Sequence, residues 1–114
     1  MANEAIMANK IAIPTLEVFQ SMTSVTQEVD TGTAVALPTA AKTNRKAILV
    51  QNKSSSANVY LGSSSAATAH SDKTTTGGYR LSPGNSVFMT IDGSVTLYVT
   101  SDTNDTGVAI IEYA

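Results

Sequence analysis

Apolar residues in this chain recur at every second position over short runs, and turn-forming residues separate the runs. The stretch Asn44–Gly62, NRKAILVQNKSSSANVYLG, shows the pattern best. Ile48, Leu49 and Val50 are consecutive, which is the signature of a strand covered on both faces. Val59 and Leu61 alternate with Tyr60, the period of two of a half-buried strand. The two runs predict strands Lys46–Asn52 and Asn58–Gly62, paired as a hairpin through a polar Lys-Ser-Ser-Ser-Ala linker. A lone hairpin is marginal in water, so this pair requires further strands.

The flanking sequence supplies them. Upstream, Ser24–Val29 reads as a strand, Asp30-Thr31-Gly32 as a turn, and Thr33–Leu37 as a second strand stopped by Pro38. Downstream, Tyr79–Leu81 is a short strand. Ser82-Pro83-Gly84-Asn85 fits a turn with Pro second and Gly third. Ser86–Ile91 alternates with Val87, Met89 and Ile91 on one face. Asp92-Gly93 then offers the two positive φ angles of a tight hairpin. Val95, Leu97 and Val99 face the core on the return strand, and Val108–Tyr113 closes the domain. About eight strands, with no internal repeat, predict an all-β antiparallel sandwich or jelly-roll-like fold over residues 23–114.

Residues 1–22 differ. Ile6, Ile11, Ile13, Leu16 and Phe19 make the segment apolar, and Pro14 breaks any helix that Glu4–Lys10 begins. It reads as an N-terminal arm, which lies either along its own domain or against a neighbouring subunit, with those five residues as the contacts. Gly62–Gly78, GSSSAATAHSDKTTTGG, reads as a long loop of low complexity, a length that in compact domains is usually functional or disordered.

Composition narrows the chemistry. Of 114 residues only 14% are charged, against 42% hydrophobic, and small hydroxyl residues replace the usual Lys and Glu. That suits strands, and a surface that neighbours can cover with little charge to desolvate. A net charge of −2 provides no field for a nucleic-acid partner. The chain has no cysteine, and so no disulfide or thiolate chemistry. The N-terminus does not read as a signal peptide and no apolar run approaches a bilayer span, so a soluble protein made in the cytoplasm is expected.

No catalytic constellation emerges. His70 is the one histidine; it sits in the long loop and reads as solvent-exposed, without a nucleophile elbow nearby. Neither a metal nor another cofactor is expected, because the acidic residues are dispersed. Asp102, Asn104, Thr106 and Gly107 match positions of a calcium loop, but Tyr113 stands where the bidentate Glu belongs, so the segment reads as an Asx-rich turn. Lys42, Arg45, Lys46 and Lys53 form a basic cluster, read as edge-blocking charges with an acidic partner as the alternative. Tyr60, Tyr79 and Tyr98 read as core or interface, with carbohydrate binding open.

The succession NRKAILVQN, ANVYLG, GYRLSPGNSVFMTI, GSVTLYVTS and VAIIEY resembles small β-sandwich proteins of tailed-phage virions, namely capsid decoration proteins and modules of tail or head fibres. The resemblance spans Thr33–Ala114 and carries no catalytic motif. It implies a non-enzymatic structural protein of the virion, oligomeric, with the major capsid protein or other virion proteins as partners, and most simply a decoration protein that clamps the assembled shell. A neck, tail or fibre position is the alternative. A receptor- or glycan-binding module using the Gly62–Gly78 loop is another. No membrane partner is implied.

Overall fold

The computed structural model describes residues 18–64 and 78–114. Eight strands are present and, among the described residues, no helix: β1 Met22–Val29, β2 Val35–Ala36, β3 Ala47–Asn52, β4 Val59–Gly62, β5 Tyr79–Leu81, β6 Ser86–Thr90, β7 Tyr98–Ser101 and β8 Thr106–Tyr113. They form two four-stranded antiparallel sheets, β1-β8-β3-β6 (sheet A) and β2-β7-β4-β5 (sheet B). The first strand pairs with the last, β2 with β7, β3 with β6 and β4 with β5. That is a single long ribbon doubled back and rolled until β3 meets β8 and β4 meets β7, the connectivity of a jelly roll.

The alternation predicts the faces well. Ile48 and Val50 of β3 and Val108 and Ile110 of β8 point inward from sheet A. They meet Val59, Leu61 and Val99 of sheet B, and all seven are buried. Val87, Met89 and Ile91 pack on this core from the β6 edge, as their spacing requires. The expected turn at Ser82–Asn85 is present, with Asn85 N–H donating to Ser82 O at 3.0 Å and Gly84 at φ +79°. A positive φ at the third position is what makes glycine fit there.

Alternation does not say which strands pair. The expected pairing of Lys46–Asn52 with Asn58–Gly62 does not occur, since β3 lies in sheet A and β4 in sheet B. The linker crosses the sandwich, and the buried Asn52 fixes the crossing. Its Nδ2 donates to Ala57 O (2.8 Å) and Leu81 O (2.9 Å), while its Oδ1 accepts Ser54 N–H (2.9 Å). Nor do β6 and β7 make a hairpin. Asp92 and Gly93 both lack a positive φ. Asp92 Oδ1 instead takes Ser94 N–H at 2.8 Å, and Gly93 N–H reaches Arg45 O at 3.2 Å. A Cβ on Gly93 would stand 3.1 Å from Lys42 O, so close approach explains that glycine. Val95 precedes β7 and is 50% exposed, so it is not a core residue. β2 keeps only two residues of the expected Thr33–Leu37 strand, although Leu37 N–H still donates to Leu97 O.

Candidate interaction surface

Strand register determines the outer face of sheet A. Met22 pairs with Tyr113, Tyr113 with Ala47, and Ala47 with Thr90, so one row crosses all four strands. The next row is Ser24, Ile111, Leu49 and Phe88. Residues in one row share a face. Most of a solvated face should be polar, yet five of these eight side chains are large and apolar or aromatic. Met22 is 61% and Phe88 51% exposed, while Leu49, Ile111 and Tyr113 are half-buried.

The aromatic rings are organised. Phe88 and Tyr113 meet edge-on with centroids 5.8 Å apart. Their strands are two steps apart, about 9.6 Å at the usual spacing of neighbouring strands, so the rings lean towards each other above β3. Ala47, the small residue between them, is consequently fully buried although it belongs to the outer face. Phe19 also packs on Tyr113, tilted, with centroids 5.0 Å apart. Such ring pairs add roughly 0.5–1.5 kcal/mol each beyond the area they bury.

Phe19 marks the root of the arm. Just after it, Gln20 N–H (2.6 Å) and Ser21 N–H (2.9 Å) both donate to Ala114 O, and Ala114 N–H returns a bond to Ser21 O. Two successive donors on one oxygen bend the chain there, which turns Phe19 over the outer face instead of along the line of β1. Of the five arm residues expected to make contacts, Phe19 therefore rests on its own domain. Ile6, Ile11, Ile13 and Leu16 lie outside the described residues.

The basic cluster is not one surface. Arg45 is buried and pairs with buried Glu112, Nη1 donating to Oε2 at 2.9 Å. Its Nη2 donates to Asp92 O (3.2 Å) and Val95 O (2.8 Å), and Lys42 N–H also donates to Glu112 Oε2 (3.0 Å). Lys42 Nζ crosses to Thr23 Oγ1 at 2.8 Å, whereas Lys53 is exposed at the opposite end of β3. The signal for a buried cation was Glu112, which shares its phase with Val108 and Ile110 and must point into the sandwich. A polar bay of about 790 Å³ opens beside this pair, lined by Lys42, Asn44, Lys46, Asp92 and Ala114 among others. The Ser94 backbone N–H, then its hydroxyl, hold the Asp92 carboxyl below its usual value, with the Arg45 charge adding to the effect against slight desolvation.

The Asx-rich turn that partly matches a calcium loop is tied by hydrogen bonds to neighbouring loops. Asp102 takes Asn58 N–H and Nδ2, Asn104 Oδ1 takes Thr31 N–H and Oγ1, and Asp30 Oδ1 takes Asp105 N–H. Among the described residues, no group of three acidic or histidine side chains converges. Tyr60, Tyr79 and Tyr98 do not make one platform. Tyr60 is buried, Tyr98 half-buried, and Tyr79 stands at an apolar crevice of about 320 Å³ between the open edges of the two sheets. His70 lies outside the described residues. Neither the known protein-family models nor the curated proteins match this chain in sequence.

Proposed function

We propose that this chain is a structural protein of a tailed-phage particle, a decoration protein that binds the assembled shell from outside and clamps neighbouring capsomers through protein–protein contact. The observation that carries the reading is the apolar outer face of sheet A, with Met22, Phe88 and the half-buried Leu49, Ile111 and Tyr113 on one surface. Contiguous exposed apolar patches mark interaction sites, and aromatic anchors set among small polar residues are what interface centres are made of. The particle enters through the sequence resemblance over Thr33–Ala114. The jelly roll itself is shared by capsid domains, lectins and cupins, so it is neutral on function. A ligand that binds only the assembled shell stabilises it by mass action, and no catalytic step is required.

Cryo-microscopy of the particle tests the proposal. Density for this domain on the outer shell, at contacts between capsomers and with copies touching one another, is expected. Density confined to the neck, tail or fibres overturns it in favour of a role there.

A further inference from the structure

Sheet A ends in a strand that can still pair. Ser21 and Ala114 exchange both backbone hydrogen bonds, at 2.9 and 3.0 Å, and the register runs on without a bulge from Met22 and Tyr113 to Val29 and Thr106. Hydrogen-bonded pairs alternate along an antiparallel ladder, so Thr23, Val25, Gln27 and Val29 bond to β8. The N–H and C=O groups of Met22, Ser24, Thr26 and Glu28 point the other way, where sheet A has no further strand among the described residues. Phe19 leaves this edge, seated against Tyr113 of β8. Exposed edges are commonly kept short or guarded by Lys, Pro or a bulge. β2 keeps two residues, and β5 three with an exposed Arg80. β1 runs for eight, MTSVTQEV, with neither Lys nor Pro and with Glu28 as its single charge.

We infer that this edge pairs with the β1 edge of a second copy, antiparallel about a two-fold axis at Val25, so that the two A sheets become continuous. The register that uses the edge most fully sets Met22 opposite Glu28 of the second copy and Ser24 opposite its Thr26. All the outward-pointing groups of Met22, Ser24, Thr26 and Glu28 are then satisfied, each pair exchanging two hydrogen bonds. Val25 meets its own counterpart at the axis, in a non-hydrogen-bonded pair with Cα atoms about 4.5 Å apart. That accounts for an unusual valine, which pairs with the buried Ile110 on the inward face and is still 45% exposed. The two Glu28 residues fall at opposite ends of the ribbon, about 20 Å apart, beyond the Debye length of about 8 Å at physiological salt. One sequence thus supplies both sides of every pair without a clash of charge, which favours a second copy over an unrelated strand. A two-fold contact of this kind is closed and stops at two chains. The pairing does not depend on which particle surface either copy later meets.

Sedimentation velocity of the free chain over a concentration series, with far-ultraviolet circular dichroism as the check on folding, tests the inference. The native chain should sediment as a dimer. Val25→Lys sets two ammonium groups face to face at the axis, on a side chain that is already exposed. Thr26→Pro removes an N–H that the single copy does not use, a place where an edge strand tolerates proline. Both variants should keep the native spectrum and sediment as monomers. The chain has no cysteine, so Val25→Cys should give a disulfide-linked dimer on mild oxidation. Thr23→Cys, whose counterpart lies about 13 Å away along the ribbon, should not. A native chain that sediments as a monomer or trimer, a dimer that survives both Val25→Lys and Thr26→Pro, or equal cross-linking at the two cysteine positions overturns the inference. No shell is present in these measurements, so their failure is separable from failure to bind one.

Discussion

Replacing Glu112 by Ala should be among the most damaging single changes in the domain. Its side chain is 4% exposed, that of Arg45 is 1% exposed, and they meet at 2.9 Å. The change leaves the guanidinium inside the sandwich with only the carbonyls of Asp92 and Val95, and it strands the Lys42 N–H. Breaking one side of a buried pair costs about 3–5 kcal/mol, because the remaining charge is uncompensated. Against a total of about 5–15 kcal/mol for a domain of this kind, that is about a fifth or more of its stability. Glu112→Gln should lose less, since the amide oxygen still accepts from Arg45 and Lys42. The double variant Arg45→Met, Glu112→Leu removes both charges and should lose less than the sum of its singles, with a coupling of about 2–3 kcal/mol. Urea unfolding followed by far-ultraviolet circular dichroism measures each step, compared at constant slope. A loss below about 1 kcal/mol for Glu112→Ala, or strict additivity in the cycle, would mean that the pair is effectively solvated and the reasoning fails.

Three further outcomes are expected. Asn52→Ala removes the side-chain donor from the buried carbonyls of Ala57 and Leu81, so it should cost about 2–6 kcal/mol at one to three per group; an unchanged urea midpoint would remove Asn52 as the tie between sheets. Gly84→Ala meets no atom within 4 Å and should cost only the backbone strain of φ +79°, about 1–2 kcal/mol, whereas Gly78→Ala places a Cβ 2.8 Å from Leu61 O and should lower the urea midpoint further. Asp92 has its carboxyl held below 3.8 in the folded chain, so the stability it contributes is complete above that value and is lost as pH falls through the lowered one. Asp92→Asn should therefore flatten the acid limb of thermal stability, and an identical limb in both proteins would contradict the assignment.

The fold was legible in proportion to how local its signals are. Alternation over Ser86–Ile91 identified the inward face because side-chain direction has a fixed period of two. The Pro83-Gly84 turn was legible because only glycine takes its φ without strain. Pairing was not, because alternation says which way a residue faces and nothing of which strand it faces along. In a jelly roll consecutive strands usually pass between sheets, so Asn44–Gly62 looks like a hairpin and is a crossing. Arg45 was misread for a related reason. Its neighbours Lys42 and Lys46 are polar, and only Glu112, far away in sequence, reveals what its side chain must meet. The apolar outer face of sheet A was half legible. Leu49 in a continuous apolar run announced a covered outer face, but the row that joins it to Ile111 and Phe88 exists only once three strands are in register.

The account stands or falls on whether the outer face of sheet A is the contact surface, and Phe88→Ser tests that with little risk to the core, since the ring is 51% exposed. Native protein and variant should unfold within a few degrees of each other. When sedimented with shells assembled without this protein, the native chain should travel with the shells and the variant should remain in the supernatant. Equal binding by both would contradict the account.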